Sequence, residues 1–344
     1  MTIPIEVDDL TPAWFSDVLG VDVSAVEVID SHSGTTGRAK LRVESGGGLP
    51  DTLFCKLAPF DPKQRVFLDF TGIGVMEARF YAELGAEVPV RVPRCWHAST
   101  DGHAYVMVLE DLDASGCTYE SDPRSTVEEL AHLHAAYWES PRFDDDLAWV
   151  PERAGFGEGG GKGPEAAAAA GHFIHRALDQ FAHEMPPVFR AVGELYATRT
   201  AEILDLWDEG ERTLIHGDPH RGNLFSDGGR TGFYDWAMFS HSPGMRDVAY
   251  HLTNSVTTDE RREIEGELLS HYRHTLASHG ITLDAAHAAQ QYRLFTVFSW
   301  VSFTSTAAVG SRWQPSEKAI AAMERATRAV EDCDSIGLLQ ELLG

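Results

Sequence analysis

Apolar positions change their period along the chain. In the first hundred residues they come in short runs separated by Gly- and Ser-rich turns, which predicts strands over 25–30, 39–44 and 52–57. Thr11 before Pro12 is a helix-start signal for a short amphipathic helix over 13–19. Over 71–84, Ile73, Val75, Met76, Phe80, Tyr81 and Leu84 recur at helical spacing, and two further strands are expected over 90–98 and 103–109. Beyond Asp113 long helical patterns take over, at 125–138, 164–184, 188–207, 259–279, 284–303 and 315–330. Short β-like segments at 213–215 with 223–225, and at 232–234, interrupt them. This order predicts an α+β fold with a small β-rich N-terminal lobe, residues 1–112, and a larger helical C-terminal lobe, residues 113–344. The stretch from Gly155 to Pro164 holds six glycines and is expected to be a mobile loop.

Composition narrows the classes without naming a function. The 344 residues are 43% hydrophobic and 24% charged, which is ordinary for a globular chain and excludes a disordered or fibrous one. The formal net charge of −25 repels the phosphates of nucleic acid and of anionic lipid, so neither nucleic acid nor membrane is expected as a partner. Met1 to Leu10 carries acids where a secretory signal carries bases, and no run approaches the roughly 18 apolar residues of a membrane span. Cys55, Cys95, Cys117 and Cys333 are scattered, with no paired metal-ligand spacing. A reduced, cytoplasmic protein is the expectation; oligomeric state is left open.

The chemistry concentrates between Leu214 and Asp235. An apolar run leads into His216-Gly217-Asp218, Asn223 follows five residues later, and Gly232-Phe233-Tyr234 leads into Asp235. Phosphoryl transfer to an alcohol needs a carboxylate that orients the attacking hydroxyl and accepts its proton, together with oxygen ligands for magnesium. Asp218 fits the first task, and Asn223 and Asp235 fit the second. Taken singly, each aspartate reads equally as a turn cap; the combined order of the three residues is what points to chemistry.

The order His216-x-Asp218, Asn223, then Asp235 resembles the signature of the aminoglycoside phosphotransferase and choline kinase superfamily, with a closer likeness to its ecdysteroid-kinase-like branch. Several other segments fit that resemblance. Lys56, in Leu53-Phe54-Cys55-Lys56-Leu57, is similar to the strand lysine that holds nucleotide phosphates, and Glu77 to its helical glutamate partner. Lys56 lies among apolar strand residues, so its amine must meet an anion. The segment from Val106 to Leu112 resembles a hinge strand, which implies that the Leu109 carbonyl and the Asp111 amide bond the adenine edge. Ser33, Gly34 and Thr35 lie in a loop that could cover phosphates with backbone N–H groups, though a plain hairpin turn explains them equally well. The 130–135 segment is similar to the helix after the hinge, and 246–250 to the segment behind the metal aspartate. The resemblance implies a protein-kinase-like fold, ATP bound between the lobes, Mg2+ and a small-molecule hydroxyl acceptor.

Departures from protein kinases matter as well. Trp236 and Ala237 follow Asp235, there is no full G-x-G-x-x-G loop and no Ala-Pro-Glu segment, and the stretch from Asp235 to Arg246 is short. These features argue for a small acceptor; the family that the chain resembles spans antibiotics, choline, sugars and steroids, and the resemblance does not choose among them. The alternatives are a catalytically silent nucleotide-binding pseudokinase and, from His132, His134, His216 and His220, a metal hydrolase that lacks a recognisable ligand pattern. Gly159 to Gly163 hints at a phosphate loop, but Phe156 and Gly163 stand where Gly and Ser or Thr are required. Trp149, Trp236, Phe239, Trp300 and Trp313 are candidate pocket walls or ordinary core. Asp144 to Asp146 form either an amine-attracting patch or a solvated surface.

Overall fold

The computed structural model describes residues 2–153, 164–309 and 316–344. Most of the glycine-rich stretch (155–163), with its Gly159–Gly163 run, and Trp313 lie outside them. The described residues fall into two compact units, one comprising 2–120 with 225–238 and the other 121–153, 164–224, 239–309 and 316–344. The expected lobe boundary at 112/113 therefore lies inside the first unit, which also reclaims the segment bearing Asp235 from the second half of the chain.

In the first unit, five antiparallel strands run in the order β1-β2-β3-β5-β4: β1 (Val23–Ser33), β2 (Gly37–Ser45), β3 (Thr52–Leu57), β4 (Cys95–Thr100) and β5 (Tyr105–Glu110). Thr11 caps the first helix, α1 (Pro12–Leu19), by accepting the Trp14 amide. Phe15 of α1 joins Leu41, Leu53, Cys55, Leu57, Val106 and Val108 in the core on one face of the sheet. Alternation along the pleat sends Arg38 and Lys40 of β2 and Lys56 of β3 to the opposite face, with Arg38 directly across from Lys56.

The helix expected over 71–84 forms as α3 (Ile73–Glu83); an unexpected helix, α2 (Pro62–Thr71), precedes it and ends at Gly72, whose φ of 65° is left-handed. Of the strand expected over 90–98, only Cys95–Thr100 forms, although Arg91 bridges to Gly232. The hairpin β7 (Leu224–Asp227) and β8 (Arg230–Phe233) then delivers Asp235.

The second unit is helical. It holds α4 (Pro123–Ala136), α5 (Pro164–Phe181), α6 (Pro187–Thr198), α7 (Thr200–Asp208), α8 (Met245–Asn254), α9 (Thr258–Ser278), α10 (Ala285–Val309), α11 (Ser316–Asp332) and α12 (Ser335–Leu343). The one helix expected over 188–207 divides at Arg199 into α6 and α7. Helix α10 packs against α5, α8 and α11, with Phe295 and Trp300 fully buried in its interior. The strand β6 (Thr213–Ile215) pairs with β9 (Ser240–Ser242), not with 223–225 as expected, and this ribbon precedes the loop that bears Asp218. Among the described residues, no helix is long and apolar enough to cross a membrane.

Candidate active site

The first unit gathers three of the expected residues around one ammonium. Lys56 Nζ donates to Glu77 Oε1 at 2.7 Å, to Glu77 Oε2 at 2.5 Å and to Asp235 Oδ1 at 3.0 Å. Glu77 on α3 is fully buried and Lys56 is 4% exposed, so neither charge could persist without the other. Burial disfavours the charged lysine, but the carboxylates of Asp235 and Glu77 outweigh it and hold the ammonium above its usual pKa. Burial pushes Glu77 up, against the pull of Lys56.

Asp235 has φ 63°, in the left-handed region that non-glycine residues seldom occupy, and it takes a second cation at Oδ2 from Arg38, 3.7 Å away. The next residue holds it there. Trp236 is fully buried, stacks on Phe80 of α3 at 4.1 Å and donates Nε1–H to the Phe233 carbonyl. Trp236 is thus an anchor for the aspartate and not a pocket wall. Backbone strain of this kind persists when its surroundings over-determine it, and it concentrates at functional positions.

The hinge and loop residues are placed as follows. Leu109 and Asp111 stand at the end of β5, where Asp111 pairs with Lys40 at 3.0 Å. Burial raises Asp111, but hydrogen bonds from Lys40 and Thr52 outweigh it and hold the carboxyl below its usual range. Ser33, Gly34 and Thr35 form the β1–β2 hairpin turn, closed by the Gly34 amide on the Thr36 carbonyl, and Ser33 Oγ accepts the Phe60 amide.

The second unit carries Asp218 and Asn223 on a loop fixed from behind. Asn223 Nδ2 donates to the Asp218 carbonyl and to Asp218 Oδ2, both at 3.0 Å, which leaves the amide oxygen uncommitted among the described residues. His216 Nδ1 accepts the Asp218 amide at 3.2 Å. His220 Nδ1 accepts the Gly222 amide, and its Nε2 stands 3.5 Å from Asp218 Oδ2.

Behind this loop, the buried Asp247 of α8 accepts the His216 amide at 2.7 Å and the Gly217 amide at 2.9 Å, with His134 Nε2 3.4 Å away. Burial raises Asp247, and these partners more than reverse the effect, so it stays ionised. His134 is paired through Nδ1 with the Tyr272 hydroxyl at 2.8 Å. One turn beyond Asp247, the buried Tyr250 hydrogen-bonds with Asp218, and His251 Nδ1–H donates to the Pro219 carbonyl at 3.0 Å.

Asp247 and Tyr250 belong to the 246–250 segment that the resemblance singled out, and here they support the Asp218 loop; His251 is a further support that the sequence reading did not mark. The available signal is an acid inside the apolar run Met245-Arg246-Asp247-Val248-Ala249, where a buried carboxylate must find donors. Other candidates are spoken for. Phe239 and Trp300 are fully buried, with Trp149 edge-on to Phe239. Asp144 pairs with Arg212 and Asp146 with Arg142, so the acidic patch is neutralised locally.

Magnesium takes one or two protein oxygens beside those of phosphate, and each unit carries an oxygen donor of that kind, the Asp235 carboxylate flanked by cations in the first and the uncommitted Asn223 amide oxygen in the second. Among the described residues no cluster of three or more His, Cys, Asp or Glu forms an all-protein metal cage.

Comparison with known proteins gives the family and the fold. Residues 31–282 match the family model described as phosphotransferase enzyme family. Solved structures share the fold at low identity. Choline kinase from Cryptosporidium parvum aligns at TM-score 0.54 and 12% identity, covering 96% of this chain and 95% of its own. The GDP complex of an aminoglycoside 2′-phosphotransferase aligns at 0.52 and 14%, covering 92% and 96%. Choline kinase from Streptococcus pneumoniae aligns at 0.50 and 16%, covering 94% and 99%. No curated protein matches the sequence.

Proposed function

The chain belongs to the phosphotransferase enzyme family, and from that premise we propose that it is a small-molecule kinase that moves the γ-phosphoryl group of ATP to an alcohol. The observation that carries the reading is the Lys56 ammonium shared by Glu77 and Asp235, residues 21 and 179 positions away in sequence. Such a buried cation has no packing purpose that an apolar residue would not serve better.

In this reading Lys56, oriented by Glu77, holds the α- and β-phosphates, and Asp235 with Asn223 holds magnesium. ATP with magnesium, when bound, supplies the phosphoryl group and neutralises the charge on it. Leu109 and Asp111 meet the adenine edge through backbone groups, and the 33–35 turn offers N–H groups to the phosphates. Asp218 orients the acceptor hydroxyl and takes its proton as the acceptor oxygen bonds to phosphorus and the bond to the β-phosphate oxygen breaks, releasing ADP. Tyr250 and Asn223 fix the Asp218 carboxylate in one rotamer, so positioning and charge neutralisation supply most of the rate. The resemblance to the ecdysteroid-kinase-like branch stays part of this proposal.

The test is ATP consumption with magnesium across aminoglycosides, other hydroxylated antibiotics, amino sugars, choline and sterols. Asp218→Ala is expected to abolish transfer with nucleotide binding intact, and Asp235→Ala to abolish both turnover and magnesium-dependent nucleotide affinity. Near-normal turnover in Asp218→Ala sinks the mechanism. Magnesium-dependent ATP binding without consumption of ATP over the whole panel identifies a silent nucleotide-binding module instead.

A further inference from the structure

Arg246 is a charge for which the mechanism above has no use. It lies on α8 one turn before Tyr250, and the two share a helix face. It is 8% exposed, yet no carboxylate among the described residues pairs with it. Its Nε is sealed from solvent without a hydrogen-bond partner. The nearest acids are already committed, Asp247 to the His216 and Gly217 amides and Asp208 to Arg153, whose Nε lies 3.1 Å from Oδ1. What Arg246 does have is an aromatic wall. Its guanidinium lies 3.8 Å from the centre of the Phe298 ring, which meets Trp207 edge-on at 5.2 Å. The Trp207 indole N–H is likewise buried without a partner. Tyr250, on the other side, packs on Phe303 at 4.9 Å and hydrogen-bonds with Asp218.

A structural arginine in a folded interior is normally paired, because an unpaired buried charge is among the costliest features a protein can carry. Burial pushes this guanidinium down to about 10, and it remains protonated at neutral pH. Unpaired cation, unpaired indole donor and aromatic wall together describe half of a recognition site, whose missing half is an anion on an apolar body.

We propose that the acceptor is a hydroxy acid, whose carboxylate is received by the Arg246 fork and whose apolar body packs on Phe298, placing its hydroxyl at Asp218. Tyr250 stands between the two ends. The planar guanidinium fork matches a carboxylate in two parallel hydrogen bonds, and it repels the ammonium groups of a cationic antibiotic. The inference rests on the kinase reading for the word acceptor, but the anion site itself does not depend on turnover.

Three near-isosteric probes decide it: 4-(hydroxymethyl)benzoate, its neutral methyl ester, and the cationic 4-(aminomethyl)benzyl alcohol. Binding is measured calorimetrically without nucleotide, and ATP consumption is then measured with each probe. The wild-type protein is expected to bind the carboxylate about tenfold or more tighter than the ester, the scale of a charge-assisted bidentate pair. Arg246→Met, which keeps the volume and removes the charge, is expected to abolish that preference and leave magnesium-ATP affinity unchanged. Arg246→Lys is expected to keep part of the preference. Because the lone buried charge opposes folding, Arg246→Met is also expected to raise the thermal midpoint. Equal binding of the three probes, no binding by any of them, a preference that survives Arg246→Met, or a lowered midpoint in that variant overturns the proposal. Carboxylate binding without phosphorylation counts against the kinase reading alone. Phosphorylation of only the cationic probe counts against this inference alone.

Discussion

Asp247 is the residue whose removal most directly tests how the Asp218 loop is held. Its two carboxylate oxygens each accept one backbone amide, Oδ2 from His216 and Oδ1 from Gly217, in a place closed to water. Asp247→Ala strands both donors, and a buried unsatisfied N–H costs about 1–3 kcal/mol, so the pair is worth on the order of 2–6 kcal/mol. Against a usual total stability of about 5–15 kcal/mol, that is a large share. The informative comparison is Asp247→Asn, which has the same shape. Its side chain offers one oxygen and one amino group where the carboxylate offers two oxygens, so one backbone N–H would face another donor. We expect Asn to be destabilised nearly as much as Ala, within about 1 kcal/mol, with turnover reduced in both because the loop that orients Asp218 loosens. Equilibrium urea unfolding followed by tryptophan fluorescence, with ATP consumption on the same preparations, gives both numbers. An Asn variant as stable as wild type would refute the two-oxygen argument and leave Asp247 as mere filling.

Two further outcomes follow from the same unit. Burial lowers the His251 pKa to about 4, and the hydrogen bond to the Pro219 carbonyl offsets only part of that effect. The unfolded chain binds this proton near pH 6.5, so the stabilisation is complete above pH 6.5 and is lost as the pH falls through about 4, an effect of about 3 kcal/mol at most. Urea midpoints between pH 7 and pH 4 should fall less steeply in His251→Gln than in wild type; parallel curves would show that the ring is not held neutral. Gly244 has no room for a methyl group, because a Cβ there would come within 2.5 Å of the Tyr272 hydroxyl and 2.6 Å of His134 Nδ1. Gly244→Ala is expected to cost about 1–3 kcal/mol by forcing apart the pair behind Asp247; a thermal midpoint equal to wild type would contradict that.

The strands were legible because β2 and β3 alternate, with apolar residues toward α1 and Arg38, Lys40 and Lys56 away from it. Most helices were legible too, but α2 and α12 matched no expected stretch and one interruption was hidden. The 188–207 pattern divides at Arg199, because apolar spacing runs through a break that backbone geometry imposes. The strand Ser240–Ser242 was invisible, since Ser-His-Ser carries no apolar signal and becomes a strand only by pairing with Thr213–Ile215. Trp236 drew attention as a bulky residue able to line a pocket, and its actual work, stacking on Phe80 to hold Asp235 at positive φ, depends on a helix more than 150 residues earlier.

The candidate site shows the same division. Its reacting groups stand in one short motif because Asp218 and Asn223 must share a loop, and the sequence displays that spacing openly. The groups that hold them come from wherever the fold brings donors and acceptors together. Glu77 and Asp247 are acids in helices with apolar neighbours, singled out in the sequence by the family resemblance, and the rule that buried charge must be satisfied supplies the physical reason. That rule finds supports by their partners, at Glu77 with Lys56 and at Asp247 with two amides. It also finds the exception, Arg246, whose partner is missing from the described residues, beside the equally unpartnered Trp207 indole N–H. Satisfied buried charges explain how a site is built, and an unsatisfied one facing the Asp218 side of α8 indicates what the site was built to receive.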